Sequence, residues 1–165
     1  MNVEQLLRRY ANGERDFEDA KFHDTDVLED ADLRGINLRR AELTGVDLSG
    51  CNLQDAVLEE AILFDARLDK ADLSRANLRK ANCQQVSLSE AILIEADLEG
   101  AILAEAYLDG ANLQNANLQN AVLDEASLAG ANLQGATVEE AELGGCFKSK
   151  TVMPDGSVLS DWEEE

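Results

Sequence analysis

A count of five governs this chain from Asp30 almost to Gly145. Leucine positions recur at Leu33, Leu38, Leu43 and onward to Leu143; of these 23 positions 21 are leucine, the others being Cys83 and Val138. Two residues before each lies a second series, Ala31 to Ala141, with alanine at 19 of 23 positions and Ile36, Val46, Cys51 and Val86 at the rest. An α-helix advances 100° per residue, so every fifth residue drifts round the axis and no apolar stripe forms. A flat strand alternates every two residues, so a period of five would throw the leucine to the opposite face each time. The chain must therefore turn once per pentad, with three extended residues followed by a two-residue bend. Gly35, Gly45, Gly50, Gly100, Gly110, Gly130, Gly135 and Gly145 all fall two residues after a leucine position, where a bend needs them. Repeated equal turns make a coil, and stacked coils make an all-β solenoid.

Ala71-Asp72-Leu73-Ser74-Arg75, Ala111-Asn112-Leu113-Gln114-Asn115 and Ala131-Asn132-Leu133-Gln134-Gly135 resemble the A(D/N)LXX unit of pentapeptide repeat proteins. The resemblance implies a right-handed, four-sided (quadrilateral) parallel β-helix with four pentads, about 20 residues, per coil. It also implies a cyanobacterial source, as does the similarity of Met153-Pro154-Asp155-Gly156-Ser157 to tails of cyanobacterial members. The residues offer their own test of coil size. At a spacing of twenty, Arg39, Glu59, Arg79 and Glu99 stack with alternating charge, and so do Arg40, Glu60 and Lys80. A fifteen-residue coil would set Arg39 against Gln54 and Asp69, a weaker pattern.

One domain is expected, a rod roughly 30 Å long at the usual spacing between paired strands. Val3, Leu6, Leu7 and Tyr10 fall on one helical face before Asn12-Gly13, so residues 1–15 are expected to form an N-terminal helical cap over an otherwise open strand edge. Residues 16–146 form the repeat region. Phe17 and Phe22 are one residue out of step with Leu28, which places a register slip near residues 23–27. Residues 147–165 are expected to leave the repeat as a C-terminal cap or hairpin, with Trp162 and Glu163 to Glu165 as an acidic tail.

The net charge of -20 is unevenly spread: residues 81–147 hold 11 acidic residues and no lysine or arginine. A direct nucleic-acid binder is disfavoured, since phosphates would meet no basic face. No apolar run is long enough for a membrane span, the start lacks secretory features, and the three cysteines read as small core residues. The cytoplasm is the expected compartment.

No catalytic, cofactor-binding or metal-ligating residue is assigned, and no enzyme is expected. His23 is the only histidine, without a partner ligand nearby. Pairs such as Glu59-Glu60, Asp124-Glu125 and Glu139-Glu140 fall at outward positions of a convex surface. The local anomaly is apolar. The residue before each leucine should face water, yet Val57, Ile62, Ile92, Ile102, Tyr107 and Val122 stand there, and Phe64 and Ile94 follow their leucines. A twenty-residue coil places Ile62, Phe64, Ile102 and Val122 on one face with Ile92 and Ile94 around the corner. Ile62, Phe64, Ile92, Ile94, Ile102, Tyr107 and Val122 are therefore the candidate partner-binding patch. The expected function is a non-enzymatic scaffold that binds a protein partner or itself. The alternative is an acidic mimic of DNA that inhibits a DNA-binding enzyme such as DNA gyrase, as some members of the resembled family do. This chain departs from that subgroup: it is short, has no long loop interrupting the pentads, and shows no apolar C-terminal dimerisation helix.

Overall fold

The computed structural model describes residues 1–143 and 145–159. Its ladder joins residue n to residue n + 20 in parallel, as in Asp32 with Asn52, Asn52 with Asp72 and Asp72 with Ile92. Four such columns run along the rod. They pass through Ile62 (42, 62, 82, 102, 122, 142), Tyr107 (27 to 147), Ile92 (32 to 152) and Asn117 (37 to 137). Each column marks one face, and consecutive pentads take the four faces in turn.

The pentad Ala31-Asp32-Leu33-Arg34-Gly35 shows why the unit is five residues long. The Leu33 amide donates to the Asn52 carbonyl in the next coil, and the Gly35 amide to the Gln54 carbonyl. The Asn52 amide donates back to Ala31, and the Ile36 amide closes the turn onto Leu33. One amide in five, that of the residue after the leucine, has no backbone acceptor in this scheme. The side chain two residues earlier accepts it: the Gln54 amide lies 3.2 Å from Asn52 Oδ1, and the Arg79 amide 3.0 Å from Asn77 Oδ1. Asp or Asn before the leucine thus satisfies the last donor of the repeat. The fifth residue sits in the left-handed region whatever its type, with φ from +53° at Arg40 to +73° at Gly135. Glycine there relieves a strain that charged residues elsewhere in the rod accept.

Inward-facing leucines and alanines form one continuous core, at most 1% exposed from Leu33 to Leu133. Polar substitutes in the alanine series stay satisfied. Cys51 Sγ donates to the Leu28 carbonyl at 2.9 Å, and Thr151 Oγ1 to the Leu128 carbonyl at 2.6 Å.

Helix α1 (Val3–Ala11) lies against the first coil. Asn2 and Gln5 exchange side-chain and backbone hydrogen bonds at its start, a reciprocal cap. Leu6 is fully buried, Val3 and Tyr10 are half-buried, and Leu7 faces outward. The Tyr10 hydroxyl donates to the Arg34 carbonyl at 2.9 Å. The slip in the count lies between Lys21, which pairs 21 residues on with Glu42, and Val27, which pairs 20 residues on with Asp47.

At the other end the structure corrects the expected boundary. The coil does not stop at Cys146: Phe147 pairs with Ser127 and Val152 with Asn132. Cys146 and Thr151 keep the alanine register and donate to the Leu123 and Leu128 carbonyls, so the ladder continues without leucine at the inward position. Only then does Pro154-Asp155-Gly156 reverse the chain, and Val158 returns antiparallel to Val152. Trp162 and the acidic tail lie outside the described residues.

Candidate interaction surface

Ile62, Ile102 and Val122 share one column, interrupted only by Asn82. Ile62 and Ile102 are 39% and 41% exposed, Val122 is half-buried, and Phe64 is half-buried at the corner beside them. Asn82 makes the usual turn contact, accepting the Gln84 amide at 3.2 Å. Its apolar neighbours have no acceptor to offer the amides of Phe64, Ala104 and Asp124. Each apolar residue here gives up a hydrogen bond worth about 0.5–1.5 kcal/mol net, so the repeat itself does not ask for it.

Ile92 and Ile94 do not join this patch. They lie two pentads away, half a coil round, on the opposite face rather than around the corner. Tyr107 occupies the adjacent face, in a column that reads Arg67, Ser87, Tyr107, Ser127, Phe147. Phe147 is 67% exposed and Tyr107 55%, both well above Ile62 and Ile102. Phe147 lies one residue past the boundary expected at Cys146, and so outside the expected patch. The count itself held the signal, since Cys146-Phe147-Lys148 keeps the pentad order.

Charge is ordered along the rod. Arg39 reaches Glu59 at 3.5 Å, and Arg79 pairs with Glu99 and with Asp97, as a twenty-residue ladder requires. Arg40 instead turns back to Asp19 and Glu18, at 2.9 Å and 2.8 Å. The reason is geometric, since the slip brings two carboxylates of the preceding coil within reach of one guanidinium. Hydrogen bonds from Arg75 hold the Asp55 carboxyl below its ordinary range, and those from Arg40 do the same for Asp19. Partial burial raises the Asp72 carboxyl, but the Ser74 hydroxyl and amide and the Gln54 amide more than offset it, and it too is lowered. Burial pushes the Cys83 thiol up to about 12 and Cys51 to about 11, which keeps both protonated and unreactive. His23 is exposed, its amide donating to Asp26. No group of three or more His, Cys, Asp or Glu among the described residues is arranged to hold a metal ion. No helix among them is long and apolar enough to cross a membrane.

Rfr23, a pentapeptide repeat protein from the cyanobacterium Cyanothece 51142, is 32% identical over 92% of this chain and 98% of its own, with a TM-score of 0.43. HetL, a pentapeptide repeat protein involved in heterocyst differentiation regulation from the cyanobacterium Nostoc sp. strain PCC 7120, is 29% identical over 96% of this chain and 100% of its own, with a TM-score of 0.35. A trypsin-treated form of QnrB1, a plasmid-mediated fluoroquinolone resistance protein, superposes with a TM-score of 0.58 at 19% identity over 88% of this chain and 89% of its own, a likeness of fold alone. No curated protein matches the chain. The model of the pentapeptide repeats matches eight copies within overlapping segments from residue 27 to residue 145. The chain belongs to the pentapeptide repeat family.

Proposed function

We propose that this protein is a non-enzymatic scaffold that binds a protein partner through the Ile62 face. The observation that carries this reading is the run of Ile62, Ile102 and Val122 at positions where Asp or Asn would close the turn. Apolar residues that cost the repeat a hydrogen bond and gain little burial are explained by a surface that becomes buried on binding. In this reading the coil is right-handed and four-sided, α1 caps its first turn, and the hairpin after Val152 closes the last. The cytoplasm of a cyanobacterium is the proposed setting, supported by three free cysteines and the Met153–Ser157 tail. Replacing Ile62, Phe64 and Ile102 together by Ser tests the face. Affinity capture and sedimentation should show partner binding or self-association lost, and unchanged behaviour in both would sink the reading.

The second reading is an acidic mimic of the nucleic-acid backbone, directed at a DNA-binding enzyme such as gyrase. It is supported by the base-free stretch 81–147. A supercoiling assay at low and moderate salt decides it, since absence of inhibition at micromolar protein removes the idea.

A further inference from the structure

Tyr107, Ser127 and Phe147 are consecutive rungs of one column. Their backbones are each tied to the preceding coil: the Tyr107 amide donates to Val86, the Ser127 amide to Ala106 and the Phe147 amide to Ala126, all at 2.9–3.0 Å. Coils stack about 4.8 Å apart, so the two aromatic side chains leave the rod about 9.6 Å from each other with a small residue between them. A point midway is then about 4.8 Å from each ring column, inside the distance of about 6 Å at which a cation is held over an aromatic face. The chain already uses such contacts near its N-terminus, where the Arg9 guanidinium lies 5.0 Å from the Phe17 ring centre and that of Arg15 lies 3.7 Å from Tyr10.

The floor and walls of the slot suit a cation. The Ser127 hydroxyl donates to Asp109 Oδ1 at 2.5 Å, which holds that carboxylate at one edge. Glu105 and Glu125 stand on the preceding corner. No lysine or arginine of this chain lies between residues 81 and 147 to fill the slot from within. On the column itself, Arg67 is drawn toward Asp47 at 3.3 Å, away from Tyr107. Lys148, next to Phe147, points its amine at the Leu143 carbonyl, 3.5 Å away.

We propose that Tyr107 and Phe147 form an aromatic clamp for an arginine side chain presented by a partner protein. The guanidinium sits over Ser127 between the two rings, with Asp109 as its carboxylate partner. Arginine fits better than lysine because a planar, weakly hydrated group can stack on two rings while its edge donates to a carboxylate. The proposal rests on the reading of this chain as a protein-binding scaffold, but uses a different face from Ile62.

The test is an NMR titration of the full chain with the blocked pentapeptide Gly-Gly-Arg-Gly-Gly. Matching peptides carry Lys or Gln in the centre, and a further arm uses free arginine amide. Shift changes centred on Tyr107, Ser127 and Phe147 are expected, strongest for the Arg peptide and absent for Gln. Tyr107→Leu should weaken binding about 2–5-fold and the pair Tyr107→Leu with Phe147→Leu about 5–25-fold, whereas Tyr107→Phe should retain it. Both positions are exposed, and circular dichroism checks that each variant is folded. Binding of free arginine amide as tight as that of the Arg peptide would replace the protein partner by a small cation and overturn the proposal. So would shifts spread evenly over all acidic residues, or an affinity indifferent to Tyr107→Leu. The Ile62, Phe64, Ile102 serine variant is titrated in parallel. If it keeps the Arg-peptide response but loses no partner in capture, the Ile62 reading fails while the clamp stands.

Discussion

Asn117 and Asp97 are joined side chain to side chain across neighbouring coils: Asn117 Nδ2 donates to Asp97 Oδ1 at 3.0 Å. Each also accepts a backbone amide of its own pentad, Asn117 from Gln119 at 3.1 Å and Asp97 from Glu99 at 3.2 Å. One residue type therefore closes a turn and staples two coils. Asn117→Val keeps a β-compatible side chain but removes both contacts and leaves the Gln119 amide without its acceptor. The expected loss is about 1–2 kcal/mol, read as a lower denaturant midpoint with unchanged slope.

The reverse exchange should stabilise. Ile102→Asn supplies an acceptor for the Ala104 amide and removes an exposed apolar side chain. We expect a gain of about 0.5 kcal/mol or more, together with weaker partner binding. A destabilised Ile102→Asn would mean that this isoleucine serves the fold, and would remove the argument for the Ile62 face.

Two glycines with the same backbone conformation should respond differently to alanine. A methyl group on Gly45 would lie 3.0 Å from Asp24 Cβ, while on Gly100 its nearest neighbour would be Lys80 Cγ at 3.6 Å. Both share the left-handed strain, near φ +68° and +66°. Thermal melts should place Gly45→Ala below Gly100→Ala, the latter losing about 1 kcal/mol from backbone strain alone.

Ala96 is 1% exposed inside the coil. Ala96→Phe should overpack it and cost about 1–3 kcal/mol or more. Glu99→Gln weakens a surface ion pair with Arg79 and should cost less than about 1 kcal/mol. Urea denaturation of both variants separates the core from the surface.

The count of five made most of the fold legible, because the inward positions stay apolar, nearly always Leu and Ala, through the residues that decide the core. The corrections came where tertiary context outweighs pattern. Thr151 carries the coil beyond Cys146 since its hydroxyl can reach a carbonyl inside it, which a search for alanine and leucine does not anticipate. The role of Asp and Asn before each leucine was visible as a preference, yet its cause, the amide left over after the backbone ladder is complete, emerges only from the hydrogen bonds. The patch was half legible: spacing grouped Ile62, Ile102 and Val122, but the place of Ile92 required following the faces round the coil.

Acid should weaken the rod in a defined window. The Asp72 carboxyl is lowered in the folded chain, so its contribution is present above the unfolded pKa of about 3.9 and fades as pH falls through the lower folded value. Asp72→Asn can retain an Oδ1 acceptor for the Ser74 amide. It should leave stability near pH 7 little changed and make the curve below about pH 4 shallower. An identical acid limb in variant and parent would show that Asp72 does not contribute there.

The ladder of n with n + 20 also sets what kinds of change in length the molecule can absorb. Adding four pentads would lengthen the rod by one storey and leave every column facing its old direction. Adding a single pentad between Ile62 and Tyr107 would rotate everything downstream by a quarter circle and carry Tyr107 and Phe147 from the face beside Ile62 to the face opposite it. A single extra residue has to be absorbed within a turn, as it is between Lys21 and Val27, with Phe22 and Leu28 buried on either side. Length here behaves as a dial with coarse stops, and the direction in which each side chain looks is decided by arithmetic as much as by chemistry.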